Sequence, residues 1–121
     1  MSTPNAEIHL KAPSGKIYEI SNTKRMTILA GPCAMESREH ALETAHMLKE
    51  IAERVGVNLV YKSSYDKANR TSIHSPRGLG LDKAMPIFEE IQSVTGLPCV
   101  TDVHTEEHCR VAGQVVDMLQ I

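Results

Sequence analysis

Short apolar runs alternate along this chain with longer segments in which apolar residues recur every three or four positions. The first stretch differs. Over residues 6–19, Ile8 and Leu10 precede Pro13-Ser14-Gly15-Lys16, and Ile17 and Tyr18 follow. Alternation around a Pro-Ser-Gly centre predicts a small hairpin. Residues 26–30 (MTILA) form a brief apolar run stopped by Gly31-Pro32, as expected of a buried strand. The next segment has Ser37 as N-cap and a stripe of Ala41, Ala45, Leu48, Ala52 and Val55 facing a core, with Gly56 at its C-terminus. Residues 58–61 (NLVY) read as a second strand. Ala84, Ile87, Phe88, Ile91 and Val94 predict a helix over 82–95, ended by Gly96 and Pro98. Pro86 is tolerable there only near the first turn. Residues 99–103 (CVTDV) are a third strand, and Thr105-Glu106-Glu107 opens a short helix with acids in its first turn. Gly113 ends that helix, and residues 115–121 (VVDMLQI) read as a fourth strand.

A hairpin followed by βαβαβαβ implies an α/β protein with a parallel sheet, helices packed on it and right-handed crossovers. Two architectures fit this order, a doubly wound sheet and part of a (β/α)8 barrel. Cys33, Lys62, the polar stretch after it, Asp102, His104 and Gln120 all fall at or just past strand C-terminal ends. Barrel enzymes gather their chemistry there from several strands. A doubly wound sheet binds near one switch point, often with a Gly-rich first turn, which is absent here. The barrel is therefore favoured. The expected organisation is a hairpin extension over residues 1–25 and the first half of a (β/α)8 TIM barrel over 26–121, since a whole barrel needs eight strands and typically about 250 residues.

Composition narrows the function. The chain has 121 residues, 41% hydrophobic and 23% charged, which suits one domain with a core. No Trp, one Phe, three Tyr and a net charge of -2 argue against a nucleic-acid surface. The N-terminal residues MSTPNAEIHLKAP are polar, and no apolar run approaches a membrane span. Cys33, Cys99 and Cys109 are far apart and form no CxxC pair, so a reducing cytoplasm is expected.

Against that mild acidity, residues 61–80 (YKSSYDKANRTSIHSPRGLG) stand out. They carry Lys62, Lys67, Arg70 and Arg77 against one acid, Asp66, interleaved with Ser63, Ser64, Asn69, Thr71 and Ser72. Lys offers a point charge and Arg a planar fork suited to phosphate or carboxylate. This reads as an anion site for a small phosphorylated substrate, beside the plainer reading of a solvated basic loop. His74 is expected to order that loop, Arg77 to brace it, and His108 to lie in the short helix. Asp102 and His104 could serve catalysis or simply cap the helix near Thr105. Cys33 could ligate a borderline divalent ion or be a small hydrophobe.

Four runs occur in a telling order: GPCAMES at residues 31–37, KSSYDKANRTSIHSPRG at 62–78, TDVH at 101–104 and DMLQI at 117–121. Together they resemble the N-terminal half of the 3-deoxy-D-manno-octulosonate-8-phosphate synthase family, the 2-dehydro-3-deoxyphosphooctonate aldolases. The KANRTS run distinguishes it from the sister heptulosonate-phosphate synthases, which use erythrose 4-phosphate and carry a KPRTS-type loop here. The resemblance implies condensation of phosphoenolpyruvate with arabinose 5-phosphate in lipopolysaccharide synthesis, in a homotetramer whose sugar-phosphate pocket is shared between subunits. It implies that Lys62, Ser64 and Lys67 hold phosphoenolpyruvate, with Lys67 also near the aldehyde. Asn69, Arg70 and Thr71 would hold the sugar phosphate, and Asp102, His104 and Gln120 would line the sugar hydroxyls and reacting centre. Cys33, where metal-independent members have Asn, implies the metal-dependent class, a divalent ion whose other ligands lie beyond Ile121. The alternative is a non-catalytic half-barrel fragment with exposed edges and a tendency to self-associate.

Overall fold

The computed structural model describes residues 5–67 and 77–121. Strands β1 (Ile8–Lys11) and β2 (Ile17–Ile20) form the expected antiparallel hairpin, with Leu10 opposite Tyr18 and Ile8 opposite Ile20. Then follow β3 (Thr27–Ala30), α1 (Arg38–Val55), β4 (Asn58–Lys62), α2 (Leu81–Thr95), β5 (Cys99–Asp102), α3 (Glu106–Gly113) and β6 (Met118–Gln120). The last four strands make one parallel sheet in the order β3-β4-β5-β6. The chain is thus an α/β protein in which each strand of the parallel sheet pairs with the next along the sequence.

Local chemistry sets most of the boundaries. Ser37 Oγ accepts the His40 N–H at 3.1 Å and starts α1, and Gly56 ends it with φ 79° and its N–H on the Ala52 carbonyl. Thr105 Oγ1 does the same for α3, accepting the His108 N–H at 3.1 Å. Side-chain caps of this kind satisfy donors that the helix itself cannot.

Three expectations need correction. The last strand begins at Met118 rather than Val115, because the Val115 and Val116 N–H groups bond to the Ala112 carbonyl and prolong the turn after α3. α2 begins at Leu81, which puts Pro86 in its second turn; Pro86 is exposed, so water can reach the carbonyl left without an N–H partner. Val55 and Val94, expected in the core, are 63% and 54% exposed, and Met85 is buried in α2 instead. The rest of the expected α1 stripe faces the core: Ala41, Ala45 and Ala52 are buried and Leu48 packs against them.

The sheet has a core on each face. On one, Leu59, Tyr61 and Cys99 pack with Ala41, Ala45 and Ala52 of α1, Ala84, Phe88 and Ile91 of α2, and Ala112 of α3. Burial pushes the Cys99 thiol up, so it behaves as a small hydrophobe. On the other face, Val60 and Val100 pack with Ala12 and Tyr18 of the hairpin, and Leu10, Ile20 and Met118 flank them. Tyr18 fixes the hairpin by donating its hydroxyl to the Leu59 carbonyl at 2.9 Å. Three helices cover one face of the sheet, and the hairpin covers part of the other.

Asp117 ties strand to helix. Its Oδ2 accepts the Cys99 N–H and the Gln92 amide, both at 2.8 Å. Asp117→Ala strands the Cys99 N–H, while the Gln92 amide keeps the Val115 carbonyl at 2.8 Å, and is expected to cost about 1–3 kcal/mol, read as a lower urea midpoint with an unchanged slope. A surface pair gives a pH test. The Arg38 guanidinium grips Glu90 through two hydrogen bonds and holds its carboxyl below the usual range. A depressed folded-state pKa adds stability above the ordinary carboxylate pKa, and that contribution is lost as pH falls through the depressed value. Glu90→Gln should therefore lower the urea midpoint slightly at pH 7, with the difference vanishing near the acid limit.

Candidate active site

The register carries the polar residues to one end of the hairpin-facing side. Side chains two apart on a strand share a face, so Lys62 follows Val60, Asp102 follows Val100 and Gln120 follows Met118. Lys62 pairs with Val100, Val100 with Met118, and Asp102 with Gln120. The apolar members meet the hairpin, and the polar ones lie towards the strand C-termini. Three strands thus place a lysine, a carboxylate and an amide at one mouth.

Residues 31–37 close onto the same end. Gly31 lies so near β4 that a Cβ there would overlap the Lys62 carbonyl oxygen. Ala34 forms a parallel bridge with Ser64, and the Met35 N–H donates to the Ser64 carbonyl at 2.9 Å. Ser64 is consequently buried beneath this segment, whereas Cys33 is exposed and outside any disulfide. Among the described residues no group of three His, Cys, Asp or Glu side chains converges on a point. Cys33 is therefore a single candidate donor, and its open thiol fits one position of a metal shell.

The base of the basic segment is held from several sides. Tyr65 is fully buried, with its ring 5.5 Å from that of His104 and 5.4 Å from that of His108. Its hydroxyl lies 2.7 Å from His108 Nδ1. Asp66 takes the Arg77 guanidinium on both carboxylate oxygens at 2.8 and 3.0 Å. The Lys67 N–H donates to the Arg77 carbonyl, and the Gly80 N–H to the Tyr65 carbonyl at 2.8 Å. Lys67 is half-buried, and neither it nor Lys62 forms an ion pair with a described carboxylate.

His104 Nε2 sits 2.7 Å from the Asp66 carbonyl oxygen and 3.7 Å from Asp102 Oδ2. A carbonyl can only accept, so Nε2 carries the proton and a neutral ring keeps Nδ1 as its acceptor. Asp102 has its Oδ1 buried without a hydrogen-bond partner among the described residues. Thr105, not Asp102 or His104, supplies the α3 cap. Asn69, Arg70, Thr71 and His74 lie outside the described residues.

Sequence reasoning missed Tyr65 and gave His108 only a place in a helix. The two are 43 residues apart, and no local periodicity signals such a contact. The Asp66–Arg77 fork was closer to legible, because Arg77 was expected to brace the loop and Asp66 is the one acid of that stretch.

Comparison with known proteins settles the ancestry. A family model described as the DAHP synthetase I family matches residues 7–121. The chain belongs to the DAHP synthetase I family. Within it, the chain is 56% identical over 118 residues to a 2-dehydro-3-deoxyphosphooctonate aldolase of Caulobacter vibrioides, covering 98% of this chain and 41% of that protein. It is 58% identical over 103 residues to a protein of the same name from Rhodopseudomonas palustris, covering 85% and 36%. A Brucella anthropi protein, again so named, is 47% identical over all 121 residues and 42% of its own length. The chain spans about two fifths of the length of these family members. No helix among the described residues is long and apolar enough to cross a membrane.

Proposed function

We propose that this chain supplies the phosphoenolpyruvate-binding part of a (β/α)8 barrel that condenses phosphoenolpyruvate with arabinose 5-phosphate and releases phosphate. The observation that carries this reading is that the strand register sets Lys62, Asp102 and Gln120 towards one end of the parallel sheet, in a chain 56% identical over 118 residues to a named aldolase. Sequential strand order, helices on one face and a hairpin across the other suit the opening half of a barrel, with residues 1–25 as its extension. On this reading the enol carbon of phosphoenolpyruvate attacks the sugar aldehyde, and water adds at the carbon bearing the phosphate.

The residues divide the work by chemistry. Lys62 and Lys67 neutralise the carboxylate and phosphate of phosphoenolpyruvate as fixed cations beside developing negative charge. The buried Ser64 holds the floor of that site. Asp102 and Gln120 accept and donate to sugar hydroxyls, and His104 Nδ1 provides an acceptor at the reacting centre. Asn69, Arg70 and Thr71 belong to the sugar phosphate. Cys33 would give a divalent ion one thiolate, and the ion would supply polarisation of an oxygen at the mouth. A homotetramer in a reducing cytoplasm completes the reading.

The test replaces the equivalent segment of the Caulobacter vibrioides relative with residues 1–121 and follows inorganic phosphate release. Arabinose 5-phosphate should be preferred over erythrose 4-phosphate by at least about tenfold, the scale on which a substrate-fitted polar site discriminates. The reverse preference would move the chain to the heptulosonate reaction. A folded hybrid that releases no phosphate with either sugar would sink the reading.

A further inference from the structure

The Lys67 backbone lies past the end of β4 and is fixed by contacts outside the parallel sheet, its N–H bonding to the Arg77 carbonyl. Its predecessors hold it there. Tyr65 is clamped between two imidazoles, its hydroxyl is tied to His108 Nδ1, and its carbonyl is capped by the Gly80 N–H. Burial raises the Tyr65 pKa, so the phenol remains protonated at neutral pH and can donate to a neutral His108. His108 is itself fixed, because its N–H is the one capped by Thr105 at the start of α3. A chain of contacts therefore runs from the α3 N-terminus through His108 and Tyr65 to the backbone two residues before the Lys67 ammonium.

We propose that Tyr65 and His108 are positioning residues that register Lys67 against α3, an inference that rests on reading Lys67 as a substrate contact. Neither side chain needs to touch substrate. The phenol ring supplies a rigid buried spacer, and the hydroxyl–imidazole bond anchors its far end. An apolar ring without that bond would fill the same space but leave the following residues free to shift. A displacement of about 1 Å in a group that meets the reacting atoms can cost about a hundredfold in rate.

The experiment uses the 121-residue chain and phosphoenolpyruvate as the probe. Tyr65→Phe and His108→Leu should each weaken phosphoenolpyruvate binding by about five- to tenfold, the range expected for one buried hydrogen bond to a neutral partner. His108→Asn, whose side-chain oxygen can occupy the Nδ1 position, should restore most of the affinity. In a Lys67→Ala background, Tyr65→Phe should have no further effect, since residues acting as one unit are not additive. The Lys67 amide should exchange with solvent roughly tenfold faster in Tyr65→Phe, while the amides of β4 and β5 keep their protection. Equal losses with and without Lys67 would overturn the positioning role and leave a general structural one. Unchanged Lys67 exchange would overturn it as well. If the parent chain does not bind phosphoenolpyruvate, the substrate reading falls, and the exchange comparison alone decides whether Tyr65 registers Lys67.

Discussion

Gly31→Ala is expected to abolish the native fold, although the change adds a single methyl group. Its Cβ would fall within bonding range of the Lys62 carbonyl oxygen and close to the Lys62 backbone carbon and nitrogen. Those are main-chain atoms, so no rotamer change can relieve the overlap. Nor can β4 withdraw easily, because it is paired on both sides, with β3 through Ala30 and Tyr61 and with β5 through Lys62 and Val100. Separating the strands at this point would also pull the Cys33–Met35 segment off Ser64, to which it is hydrogen-bonded. The expected destabilisation is about 4 kcal/mol or more, at the upper end of single-substitution effects and close to the whole stability of a small domain. Far-ultraviolet circular dichroism and urea unfolding check it. A variant with a native spectrum and a midpoint near that of the parent would show that β3 and β4 can separate by an ångström or more at no cost. Gly56→Ala, where a Cβ meets nothing but φ is 79°, should by contrast cost only about 1 kcal/mol.

That contrast marks what a sequence can reveal. Gly56 and Gly96 were legible as helix ends because the demand on them is local: a left-handed residue is needed where apolar periodicity stops. Gly31 was read as part of a strand stop and of the GPCAMES run, without a packing role. The contact that makes it irreplaceable is with a residue 31 positions later, across a sheet pairing that no local pattern encodes. The same distinction runs through the site. Val60-x-Lys62, Val100-x-Asp102 and Met118-x-Gln120 repeat an apolar-to-polar step on successive strands, so the polar end of the sheet could be anticipated. The Tyr65 clamp could not, since it depends on where α3 docks. The exposure of Val55 and Val94 has a related origin. Periodicity says which helix face is apolar, but not how much of that face the sheet covers.

On the proposed reading, the two faces of the sheet also divide stability from function. The helix-side core is continuous and apolar, with Tyr61, Cys99 and Phe88 fully buried together. The hairpin-side core is small and stops one residue pair short of the strand ends. Polar residues placed beyond it cost little packing, because the apolar cluster on that face, among the described residues, reaches only to the level of Val100 and Met118. Substitutions there should therefore change binding more than folding.

Lys62→Met puts that separation to its strongest test. Lys62 stands between the hairpin core and the strand ends, level with Val100 and Met118, and is half-buried. Methionine preserves the stem and removes the charge, so the urea midpoint should stay within about 0.5 kcal/mol of the parent. Phosphoenolpyruvate affinity should nevertheless fall by about 30- to 100-fold, equivalent to about 2–2.7 kcal/mol, the range for losing a charge-assisted contact to an anion. The parent's affinity should decline as salt is added, and the variant's should decline less steeply, since one fewer charge is being screened. Lys11→Met, an exposed change on the hairpin, should leave both quantities as they were. Lys62→Arg should recover only part of the loss, because a planar fork does not reproduce a compact ammonium within so short a reach of the Val100 layer. Calorimetric titration of the four proteins at two salt concentrations distinguishes the outcomes. Equal affinity in parent and Lys62→Met would mean that the anion is held elsewhere, and the mouth of the parallel sheet would lose its claim to be the phosphoenolpyruvate site.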